Sequence, residues 1–102
     1  MAEIFVTEAA QADLDAIDQY SLLQFGRPVA DRYHRDFLAA FVLIADNPKI
    51  APVFRKRPVV RTWPSGKHRI YFTINRQIVS VIRVLHMAMD QHRAMTGALG
   101  KR

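Results

Sequence analysis

The hydrophobic period of this chain changes once, near residue 50, and that change limits the folds open to it. Between Thr7 and Asn47 apolar residues recur at three- and four-residue steps, the spacing of one face of an α-helix. Ala10, Leu14, Ile17, Ser21 and Phe25 make one stripe. Ala30, Tyr33, Phe37, Phe41 and Ile44 make a second, with Ala40 beside it and Asp31, Arg32, Arg35 and Asp36 away from its centre. Beyond the change the pattern alternates. RPVVRTW (57–63), HRIYFTIN (68–75) and IVSVIRVLH (78–86) are rich in β-branched and aromatic residues. Pro64-Ser65-Gly66 and Asn75-Arg76-Gln77 separate them as turns.

Punctuation residues agree with this division. EIFV (3–6) is a short strand-like run, and Thr7 follows as an N-cap whose hydroxyl accepts an unpaired amide hydrogen. Glu8 suits the positive end of the helix dipole. Gly26 stops the first helix and Pro28 fits the first turn of the second. Asp46-Asn47-Pro48 ends it, because proline disfavours helix at the residue before it. A link as short as Gly26-Arg27 makes the helices antiparallel neighbours. The expected fold is α+β in two layers. An N-terminal strand and an antiparallel α-hairpin pack on one face of a mainly antiparallel four-stranded sheet (β-α-α-β-β-β), with room for a short C-terminal helix. No repeat, low-complexity run or long linker divides the 102 residues, so one domain spans 1–102.

Strand alternation assigns faces. Ile70, Phe72 and Ile74 form the core face of the middle strand, opposite Arg69, Tyr71 and Thr73. A two-residue turn at Arg76-Gln77 pairs Ile74 with Val79, Phe72 with Val81 and Ile70 with Arg83. Val79, Val81, Arg83 and Leu85 then face the helices. Unless a bulge intervenes, Arg83 and His86 leave opposite faces. The reverse face would expose Tyr71, Ile78, Ile82 and Val84, a patch that calls for a cover. Two covers are available: the C-terminal segment, through Ala88, His92, Met95 and Leu99, or a partner chain.

Composition narrows the chemistry. There is no cysteine, which removes disulfides and thiolate ligands and suits a reducing cytoplasm. The N-terminus has no basic leader, and FLAAFVLIA (37–45) is under half of the roughly 20 residues that cross a bilayer. A soluble protein is expected. The net charge of +6 is uneven, with acids early (Glu3, Glu8, Asp13, Asp15, Asp18) and bases late, in FRKRPVVR, SGKHR and the tail GKR. Such a basic half implies a negatively charged partner, nucleic acid or acidic protein; a solvated face explains it equally well. The four histidines show no HxxxH or HExxH spacing, and no phosphate loop or GxSxG elbow occurs. Neither metal nor cofactor is expected.

Four segments carry a family resemblance. EIFVTEAAQADLDAIDQY, FGRPVADRYHRDF, ADNP and SGKHRIYFTINRQIVSVIRVLHMAMD, running from about residue 3 to residue 90, together resemble the ParE branch of the ParE/RelE toxin superfamily. The most specific piece is S-G-x-H before an apolar strand, a turn, and a second strand ending R-V-L-H, with Asp90 four residues on. Ala10, Asp13, Leu14 and Ile17 (AxxDLxxI) with Tyr20 come next. The resemblance implies the same two-layer fold and a role as toxin of a type II toxin–antitoxin module. It implies a ParD-like antitoxin wrapped over the surface in a hetero-oligomer, and inhibition of DNA gyrase by protein contact. RelE-type members instead cut messenger RNA. Branch members often carry an arginine where Ala88 stands here, which leaves a degenerate, non-toxic antitoxin-binding module as a further alternative.

The residues expected to meet target or antitoxin are Arg61, Lys67, His68, Arg69, Tyr71, Ile82, Arg83, His86 and Asp90. RNA cleavage would need a base, an acid and cations. His68, His86, Tyr71, Arg61, Lys67, Arg69 and Arg83 are the candidates, yet GALGKR ends the chain with no Tyr or His beyond His92. His86 reads better as a strand-end residue bonded to a neighbour such as Asp90. Arg83 reads better as snorkelling, or paired with Asp13 or Asp18. The expectation is a recognition protein with no catalytic residue and no direct nucleic-acid contact.

Overall fold

The computed structural model describes residues 2–99, with side chains as far as Met95. The tail GKR (100–102) and the side chain of Leu99, both used in the sequence reading, lie outside the described residues. Strand β1 (Glu3–Val6) leads into α1 (Glu8–Phe25), which an 89° φ at Gly26 separates from α2 (Arg27–Asp46). A 3-10 turn (Pro48–Ile50) leads to β2 (Val53–Lys56), β3 (Val59–Ser65), β4 (His68–Asn75) and β5 (Ile78–His86), and α3 (Gln91–Leu99) closes the chain. The fold class matches the α+β expectation. The sheet has five strands instead of four, in the order β1-β5-β4-β3-β2, antiparallel except for β1 beside β5.

The helical hairpin forms as its spacing predicts. Thr7 caps α1 by accepting the Ala10 amide at 3.2 Å, and its own hydroxyl donates to the Val81 carbonyl at 2.9 Å. Ala10 and Leu14 on α1, with Phe37, Phe41 and Ile44 on α2, bury against Ile70, Phe72, Val79 and Val81. That contact is the main core, and each such aliphatic or aromatic side chain gives about 1.5–3 kcal/mol by leaving water. Phe25, read as part of the stripe, is exposed at the hairpin's end.

Strand β5 departs from the expected register. Ile74 meets Val79 and Phe72 meets Val81, but Tyr71 meets Arg83 and Ile70 meets Val84, so Ile82 is an additional residue. This bulge reverses the side-chain parity beyond it. Val84 joins the main core, while Leu85 and Ile82 turn to the other face. The expected Ile70–Arg83 pair is thereby corrected, and His86 moves to the helix face with Val84; Arg83, opposite Tyr71, keeps the other parity and still reaches Asp13 of α1.

The reverse face is partly covered by the chain itself. Met95 of α3 buries completely against Val60, Tyr71 and Leu85, with Phe54 of β2 packed at the margin. Tyr71 is 0 % exposed, contrary to the open-face reading, and its hydroxyl donates to Gln91 Oε1. Phe5 and Ile78 stay exposed beyond the reach of α3.

Candidate functional site

A groove of about 680 Å³ opens between the helical hairpin and the β3–β4 turn. Ala16, Ile17, Tyr20, Phe25 and Val29 give it an apolar wall, and Lys67, His68 and His86 give it a polar end. Cross-strand pairing brings the two histidines together: His68 and His86 are partners across β4 and β5, their rings edge-on with centroids 5.0 Å apart. The bulge at Ile82 makes this possible, because it turns His86 toward the hairpin.

Tyr33 of α2 shapes the turn beneath. Gly66 has a φ of 59°, a left-handed conformation that glycine adopts without strain. A methyl group there would also come within 2.5 Å of Tyr33 Cε1. The Tyr33 hydroxyl accepts the Lys67 amide at 3.0 Å and lies 2.6 Å from His68 Nδ1. The Tyr33 hydroxyl also has the Ser65 carbonyl at 3.4 Å, so the direction of its bond with His68 Nδ1 follows the histidine tautomer. His86 Nδ1 accepts the Ala88 amide at 3.0 Å.

Burial, and secondarily the neighbouring His86, lowers the pKa of His68 to about 4, with Asp13 opposing. His68 is therefore neutral at physiological pH. Burial likewise raises the Tyr33 and Tyr71 phenols, keeping both protonated. Arg83 is raised chiefly by its hydrogen bond to Asp13.

The residues expected from sequence do not form one site. Lys67, His68 and His86 gather in the groove. Arg83 is engaged by Asp13 through Nε at 2.7 Å and Nη2 at 2.9 Å, as the early-acid reading expected. Arg61 donates to the Ala51 carbonyl at 2.7 Å, and Arg69 donates to the Thr62 hydroxyl at 3.0 Å. Tyr71 and Ile82 belong to the α3-covered cluster. Asp90 accepts the Arg93 amide at 3.2 Å at the start of α3, so the expected His86–Asp90 bond is replaced by His86–Ala88. Tyr33, missed as a site residue, carried only the signal of its place in an apolar stripe.

Comparison with known proteins agrees with this architecture. The family model described as ParE toxin of type II toxin-antitoxin system, parDE, matches residues 4–91. Toxin ParE1 of Caulobacter vibrioides is 34% identical over 86 residues, covering 83% of this chain and 88% of that protein. Toxin ParE1 of Mycobacterium tuberculosis is 31% identical over 90 residues, covering 86% of this chain and 92% of that protein. A chain of the chromosomal ParDE TA system from P. aeruginosa superposes with a TM-score of 0.74 at 21% identity, over 84% of this chain and 96% of that one, and so shares the fold. With a family match that runs from β1 to the start of α3, this chain belongs to the ParE toxins of type II toxin–antitoxin systems.

Proposed function

We propose that this ParE-family chain acts in the cytoplasm by inhibiting DNA gyrase through protein–protein contact, and that a cognate ParD-like antitoxin silences it by laying a segment in the groove. The observation that carries the reading is the groove itself, an apolar wall ending in Lys67, His68 and His86. Antitoxin tails with apolar anchors and acidic flanks suit such a surface, and the net charge of +6 favours their approach. Lys67, His68 and His86 are the proposed contacts. Arg61, Arg69, Tyr71, Ile82, Arg83 and Asp90 act through the fold that holds them. In a supercoiling assay, purified toxin is expected to stop gyrase; full gyrase activity at saturating toxin would remove the gyrase claim.

A second reading, messenger RNA cleavage, draws on the His68–His86 pair. The commitment of Arg83 to Asp13 counts against it, since the carboxylate already neutralises that guanidinium and holds its Nε–Nη2 edge. Transcripts cut in cells making the protein, and left whole by His86→Ala, would establish the cleavage reading instead.

A further inference from the structure

The two groove histidines share an unusual constraint. Each has its Nδ1 engaged: His86 accepts the Ala88 amide at 3.0 Å, and His68 lies 2.6 Å from the Tyr33 hydroxyl, whose other acceptor, the Ser65 carbonyl, is farther at 3.4 Å. A neutral imidazole carries one proton, so a ring whose Nδ1 accepts carries it on Nε2. Lys67, the third polar side chain of this end, is also a donor. Tyr33 does not loosen this arrangement, because its ring lies against Gly66 and its oxygen receives the Lys67 amide at 3.0 Å. We propose that Tyr33 and the Ala88 amide fix His68 and His86 as Nε2–H donors, making the polar end of the groove a donor-only site that takes a carboxylate presented on an apolar segment. Tyr33 is thus a positioning residue, acting on the ligand through His68. The inference deepens the antitoxin reading and rests on it only for the identity of the natural partner, an acidic side chain of the bound segment. Ala88 acquires a role here through its backbone, which its side chain does not reveal.

Matching of partners follows from the protonation pattern. A carboxylate offers only acceptors and gains charge-assisted hydrogen bonds from such an end. A primary amine or ammonium finds no acceptor there. The groups around the pair are Tyr33 on α2, Asp13 on α1 and Lys67 in the turn, with Asp36 acting on Tyr33. Among the bonds described, the Tyr33 oxygen is the acceptor that lies within hydrogen-bond distance of a ring, and the Lys67 amide already donates to it.

Long-range proton–nitrogen NMR on histidine-labelled full-length protein tests the tautomers directly. The expected result near neutral pH is Nε2–H for both rings. Tyr33→Phe keeps the ring on Gly66 and removes only the hydroxyl; His68 should then mix tautomers while His86 stays unchanged. Octanoate and 1-octanol serve as probes that share an apolar chain and differ in the head group. Octanoate should bind roughly fivefold to tenfold tighter and shift both Nε2 resonances, and Tyr33→Phe should erode that preference severalfold. An Nδ1–H tautomer at His68 in the unaltered protein, or equal binding of the two probes, overturns the proposal. If the donors and the octanoate preference hold but resonances of the groove stay fixed in the toxin–antitoxin complex, the donor-only site stands and the antitoxin reading falls.

Discussion

Asp13 answers three donors with one carboxylate: Arg83 Nε, Arg83 Nη2 and the Val84 amide at 2.9 Å. The pair is largely buried, at 23% and 16% side-chain exposure. Removing one partner of such a pair strands the other, so Asp13→Ala should cost about 2–4 kcal/mol in urea unfolding, well above the cost of changing an exposed acid such as Asp15. His68 gives a pH signature. Its folded pKa of about 4 lies below the ordinary 6.5, so the unfolded chain binds the proton first. The resulting stability is fully present above about pH 6.5 and is lost as pH falls toward 4. Solvent screens the half-buried ring, which holds the loss to about 1 kcal/mol. His68→Gln should flatten the urea midpoint across that window. The Asp13–Arg83 pair was legible as a charge seeking a partner. Tyr33 was not, because its partners Lys67 and His68 lie more than thirty residues away and only the folded chain brings them close.

Among the elements, those with a long, unbroken period were legible and the short or irregular ones were not. Helices α1 and α2 and strands β4 and β5 follow directly from spacing. Strand β2 escaped because VFRK (53–56) sits between Pro52 and Pro58 and reads as part of a basic run. The bulge at Ile82 left no mark either, since IVSVIRVLH alternates plausibly in both registers. That miss moved His86 to the wrong face and hid the groove's polar end. The β4–β5 turn was placed correctly, and its two central residues pay a conformational cost: Arg76 and Gln77 have φ of 50° and 66°. Such a turn favours Asn-Gly, so Arg76→Asn with Gln77→Gly should raise stability by about 1 kcal/mol, a rise in Tm of about 4–8 °C.

At the scale of the whole molecule, α3 decides how much of the sheet is wet. Its one fully buried anchor is Met95 among the described residues of that helix. Met95→Ala should cost about 2–4 kcal/mol, release α3, and uncover Tyr71 to an apolar dye, with early proteolysis near residue 90 as the readout. Charge acts over the same distances. The positive surplus should make antitoxin association slow steeply as salt rises while dissociation from the apolar wall changes little, which stopped-flow mixing can separate.

The carboxylate of Asp13 also completes an unfinished border. Beside β5, strand β1 stops at Val6 opposite Val81, and three residues later the side chain of Asp13 takes up the backbone amide of Val84. A bare rim of that kind invites a stranger's backbone, and rows of molecules grow from such meetings. Here Thr7 and Asp13 occupy the Ile82 carbonyl and the Val84 amide, so the stretch of β5 beyond Val6 does not offer those groups to a neighbouring strand.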